Sequence, residues 1–151
     1  MDFRRKVLMG DDSADFGVIC KNSLREKGFE VLLQKRDGKE ILSAISSEKP
    51  DLVVVNALMV RGDALGVIRA CRERGDTPAF IVTSPFENAL IVRQIMQTPN
   101  CFFMLEPFEM EDLYDRIAMM LGVDSGLRRE SAKNVYTQHD LEVMITEIIH
   151  Q

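Results

Sequence analysis

The chain has 151 residues, 46% apolar and 28% charged, with a net charge of −5. These values fit a globular chain of about one domain and argue against a stand-alone nucleic-acid binder, whose affinity depends on cations that neutralise phosphates. No window approaches the ~18 apolar residues of a membrane span, and MDFRRKVLMGDD lacks the apolar stretch of a signal peptide.

Cys20, Cys71 and Cys101 are odd in number and far apart, which predicts reduced thiols in a cytoplasmic protein. The basic clusters Arg4-Arg5-Lys6 and Arg128-Arg129 read as solvated ends or linker.

Arg5 to Met9 predicts a short apolar strand that stops at Gly10-Asp11-Asp12. Ser13 is placed to cap a helix in which Phe16, Ile19, Cys20, Ser23 and Leu24 recur at helical spacing, and Gly28 ends it. Phe29 to Leu33 predicts a second strand. Arg36-Asp37-Gly38 turns the chain into a helix carrying Ile41, Leu42 and Ile45. Pro50-Asp51 closes that helix and opens a third strand, Leu52 to Val55, with Asn56 at its carboxyl end.

The alternation continues. Asp63 to Arg74 predicts a helix, Pro78 to Thr83 a fourth strand, and Phe86 to Gln97 a weakly held helix with an interrupted stripe at Leu90, Ile91 and Ile95. Cys101 to Leu105 is the fifth strand, Pro107 breaks the chain, and Glu109 to Leu121 is an amphipathic helix. Five strands alternating with five helices predict a parallel sheet covered on both faces. Right-handed crossovers favour the flavodoxin-like order 2-1-3-4-5, in which the ends of strands one, three and five meet at the switch point. Domain boundaries follow: 1–122 for this unit, 123–138 for a polar linker, and 139–151 for a helix with Leu141, Met144, Ile145 and Ile148 on one stripe.

At the strand ends the sequence resembles the receiver domains of two-component response regulators. The matching elements are Asp11-Asp12 after strand one, PDLVVV before Asn56, Gly62-Asp63 soon after it, VTS around Thr83, and Glu106-Pro107-Phe108 after strand five. The resemblance runs from about Lys6 to Leu121. It implies a magnesium-binding acidic pair at Asp11 and Asp12, a phosphoacceptor position at Asn56, a hydroxyl position at Thr83, a lysine position at Glu106 and an aromatic switch position at Phe103. Leu58 falls where the family supplies a backbone metal ligand.

Two of these positions hold the wrong chemistry. An acyl phosphate requires an ionised carboxylate, and the amide nitrogen of Asn56 has its lone pair in resonance with its carbonyl. Glu106 puts an anion where a phosphoryl group would need a cation. Val60 and Ala64 depart further, standing where proline and glycine are common.

The expected function is therefore a receiver-like domain that signals through protein contacts without phosphoryl transfer, and no enzymatic activity is expected. An alternative is a sensor whose acidic pocket (Asp11, Asp12, Glu106) binds magnesium, calcium or a small cationic ligand. Helix four, strand five and helix five, Phe86 to Leu121, together with the C-terminal helix over 139–151, form the expected partner or homodimer surface. MLEPFEMEDLYDRI is similar to sporulation-type regulators of endospore-forming bacteria, and HDLEVMITEIIHQ resembles the opening helix of a DNA-binding effector. The helix-turn-helix of such an effector does not follow, so this chain alone is expected to bind neither nucleic acid nor membrane. A fragment of a longer regulator and a short natural relative are both compatible with the sequence.

Overall fold

The computed structural model describes residues 4–123. The linker and the helix expected over 139–151 lie outside the described residues, apart from Val123. The elements are β1 (Lys6–Met9), α1 (Phe16–Glu26), β2 (Glu30–Leu33), α2 (Gly38–Glu48), β3 (Leu52–Asn56), β4 (Leu58–Met59), β5 (Gly62–Asp63), α3 (Ala64–Glu73), β6 (Ala79–Ser84), α4 (Ala89–Met96), β7 (Cys101–Leu105) and α5 (Met110–Leu121). The main sheet has the order β2-β1-β3-β6-β7, with every pairing parallel. This is the expected flavodoxin-like order. A small antiparallel ladder, β4 with β5, is inserted after the third strand.

Period-two alternation divides the core between the two faces of the sheet. Leu8, Val53, Val55, Phe80 and Val82 pack with Ile41, Ile45, Val67, Ile68 and Ile95 from α2, α3 and α4. Val7, Met9, Leu52, Val54 and Ile81 pack on the other face with Cys20 and Leu24 of α1 and Leu113 and Ile117 of α5. Fully burying each such aliphatic side chain contributes about 1.5–3 kcal/mol relative to exposure. That gain explains why β3 tolerates an almost unbroken apolar run.

Local chemistry fixes most helix starts. Asp37 caps α2 by accepting from the N–H groups of Lys39 (2.9 Å) and Glu40 (3.3 Å). Asp63 caps α3 through Gly66 N–H at 2.7 Å. Asn88 accepts from Ile91 N–H at 3.1 Å, which starts α4 at Ala89, three residues later than the expected Phe86. The hydroxyl of Ser13 accepts from Phe16 N–H at 3.1 Å and Gly17 N–H at 3.3 Å, as its sequence position suggested.

Two apolar assignments differ. Ile19 is 54% exposed, because Gly17, Cys20 and Leu24 form the buried face of α1. Leu90 is 65% exposed, leaving Ile95 as the buried anchor of α4. No helix among the described residues is long and apolar enough to cross a membrane.

Candidate functional site

The carboxyl ends of β1, β3, β6 and β7 gather the residues singled out in the sequence. Asn56 is the last residue of β3 and stands in register with Thr83 of β6. Thr83 is buried, and its carbonyl accepts from Ala57 N–H at 2.8 Å. Asn56 Oδ1 accepts from Leu58 N–H at 3.2 Å, so the carboxamide folds the following loop back on itself. Leu58 opens β4 with its side chain exposed.

Glu106 lies just beyond β7, half-buried, its N–H donating to Ser84 O at 2.8 Å and its peptide bond to Pro107 in the cis form. Phe103 is half-buried against the α2–α3–α4 side of the core and pairs with Val82, one residue before Thr83. Its N–H donates to Met96 Sδ at 3.4 Å.

Asp11 is buried and Asp12 beside it is exposed. The close approach of α1 to the acidic loop depends on Gly17, where a Cβ atom would lie 2.0 Å from the Asp11 carbonyl oxygen. Asp11 Oδ1 accepts from Ser13 N–H at 2.9 Å, and Oδ2 forms an ion pair with the Arg36 guanidinium. Burial pushes the Asp11 carboxyl up. The hydrogen bonds from Ser13 and the charge and hydrogen bond of Arg36 outweigh it and hold the group below its ordinary range.

Arg36 is the principal residue that the sequence reading left out, since it stood there only as part of a turn. A lock between two loops positions it. Val60 N–H donates to Arg36 O at 3.0 Å, and Gly38 N–H donates to Val60 O at 2.9 Å. Asp37 then receives Arg61 through Nε at 2.8 Å and Nη2 at 2.7 Å, both on Oδ2. Arg61 sits at φ 54°, the left-handed region that a non-glycine residue adopts only when its surroundings hold it there. A Cβ atom on Gly38 would stand 2.7 Å from Arg61 O, so glycine is needed for the two loops to meet.

Cys20 lies in the core on the helical stripe expected for α1. It is fully buried on α1, and burial first, then the charges of Asp11 and Glu106, push its thiol up to about 12. The thiol stays protonated at neutral pH and is no nucleophile. Cys20, Cys71 and Cys101 are all free and buried.

Asp37 is held below its ordinary range, chiefly by the hydrogen bond from Arg61. Carboxyls depressed in the folded state give stability that is fully present above the unfolded value of ~3.9 and is lost as pH falls through the lower folded values. Thermal midpoints are expected to be level above about pH 5 and to fall steeply below about pH 4. Asp37→Asn should flatten that acid slope, and an unchanged slope would show that Arg61 does not hold the group down.

The sheet order and the register of Asn56 with Thr83 are those of the flavodoxin-like receiver fold. No protein-family model matches the chain. It is 26% identical over 115 residues to the transcriptional regulatory protein PdtaR of Mycobacterium tuberculosis, covering 76% of this chain and 56% of that protein. It is 28% identical over 146 residues to the response regulator MprA of Mycolicibacterium vanbaalenii, covering 95% of this chain and 62% of that protein. The chain thus spans less than two thirds of the length of these curated relatives. The receiver domain of Francisella response regulator 1452 matches with a TM-score of 0.71 at 21% identity, covering 79% of this chain and 98% of that one.

Proposed function

We propose that this receiver domain signals through protein contacts and does not undergo phosphoryl transfer. The observation that carries this reading is Asn56, which ends β3 where the receiver resemblance puts the phosphoacceptor and whose Oδ1 accepts from Leu58 N–H at 3.2 Å. Its amide cannot attack phosphorus, and Glu106 at the lysine position repels a phosphoryl group.

Exposed apolar residues on the α4–β7–α5 side support a contact role. Phe86 and Leu90 are 70% and 65% exposed, and Leu105 and Met119 are partly open as well. Such a surface suits a protein partner or a second copy of the chain. Service within a transcriptional regulator, of the sporulation type that residues 104–117 resemble, is the wider setting proposed.

Incubation with acetyl phosphate and magnesium should leave the intact mass unchanged and no acid-labile phosphate on the protein. A phosphoryl adduct on Asp11 or Asp12 would overturn this reading.

A further inference from the structure

Receiver pockets are expected to take a divalent ion on their acidic pair, and the residues here do not fit one. Three side-chain oxygens at the positions that the receiver resemblance gives to metal and phosphoryl group are already engaged. Asp11 Oδ2 is paired with Arg36, Asp11 Oδ1 accepts from Ser13 N–H at 2.9 Å, and Asn56 Oδ1 accepts from Leu58 N–H at 3.2 Å. Among the described residues, no group of three or more His, Cys, Asp or Glu side chains is arranged to hold a metal ion. Magnesium and calcium need several oxygen ligands at once, and with Asp11 paired only Asp12, Glu106 and the Leu58 carbonyl of the implied set are left.

We propose, building on the reading above, that Arg36 is a built-in cation that takes the place of the divalent ion and keeps the pocket metal-free. The charge balance agrees. Asp11, Asp12 and Glu106 bring three negative charges and the motif supplies no cation of its own. Arg36 restores one positive charge at the most buried of the three, where an unpaired carboxylate is most unfavourable. Arginine suits the task, because its planar, permanently charged fork matches a carboxylate and tolerates partial desolvation better than an ammonium does.

The delivery is also specific. The backbone bonds between Arg36 and Val60 and the Asp37–Arg61 pair hold the loop that carries Arg36. The occupant of the acidic pocket is thereby tied to the loop that follows Asn56. The cation is part of the fold and is present without any input signal.

The test is calorimetric titration of the full chain with magnesium, calcium and manganese chlorides. The parent should give no saturable heat up to ~10 mM, whereas Arg36→Gln should bind at least one of the three with a dissociation constant of ~1 mM or below. Lys39→Gln, which removes an exposed cation from the first turn of α2, should stay silent. Saturable binding by the parent, silence from a folded Arg36→Gln, or an equal gain in Lys39→Gln would each overturn the proposal.

A measurement on the parent needs no variant: manganese should leave the amide NMR signals of Asp11 to Ser13 unbroadened. Broadening confined to that loop would likewise overturn it. Metal binding by the parent would leave the absence of phosphoryl transfer standing, while acid-labile phosphate on the parent would remove that reading directly.

Discussion

The triple variant Asn56→Asp, Arg36→Gln and Glu106→Lys is expected to take up acid-labile phosphate from acetyl phosphate, while Asn56→Asp alone stays unlabelled. Each change removes a separate obstacle. Asn56→Asp supplies an ionised oxygen nucleophile at the end of β3, level with the buried Thr83. Arg36→Gln frees Asp11 Oδ2 and lets a divalent ion neutralise the incoming phosphoryl group. Glu106→Lys replaces a repelling anion with a cation at the edge of the same pocket.

Removing a single electrostatic stabiliser commonly lowers such reactions ~100-fold or more. With two of them missing, the nucleophile alone should show no label within the time that labels the triple variant. Intact mass and release of label by acid are the readouts. Equal labelling of the single and triple variants would mean that neither Arg36 nor Glu106 restrains the pocket, and the lost carboxylate would then be the whole explanation.

Gly17→Val is expected to destabilise the domain by about 3 kcal/mol, the upper part of the usual overpacking range, and to lower the thermal midpoint by roughly 10 °C. Gly17 is buried at the start of α1, and its Cβ would stand 2.0 Å from the Asp11 carbonyl oxygen and 2.8 Å from its carbonyl carbon. Those are backbone atoms, so no side-chain rotation relieves the clash. Either α1 or the acidic loop must move, and the Ser13 hydroxyl bonds at the helix start would move with it.

Gly66→Ala is the contrast. Its Cβ meets only the Asp63 side chain, at 3.2 Å, and alanine favours the helix, so a change within about 1 kcal/mol is expected. A Gly17→Val midpoint within 2 °C of the parent would show that the tight approach of α1 to the acidic loop is not needed for stability.

Much of the site was legible in the linear pattern because strand ends are. Apolar runs bounded by Gly10-Asp11, Asn56, Thr83 and Glu106-Pro107 marked where strands stop, and crossover handedness brought those stops to one edge. Cap residues were readable for the same local reason, since Ser13 acts on amides three and four residues ahead. The exposure of Ile19 was not readable. Its helical spacing suits either of two adjacent faces, and the packing of Gly17 against the Asp11 loop selects the other one.

The class of fold and the order of the five strands were legible in the linear string, as were a carboxamide and a glutamate at the positions where the receiver resemblance implies a nucleophile and a cation. Those features rest on periodicity and on residue identity, which a linear string carries. The partner of Asp11, in contrast, is a matter of tertiary contacts. Arg36 and Asp11 are 25 residues apart, and their pairing depends on how the loop before α2 bonds to the β4–β5 insertion through Val60 and Arg61. That contact lies between two irregular segments with no repeating period, and its geometry exists only once both loops are in place.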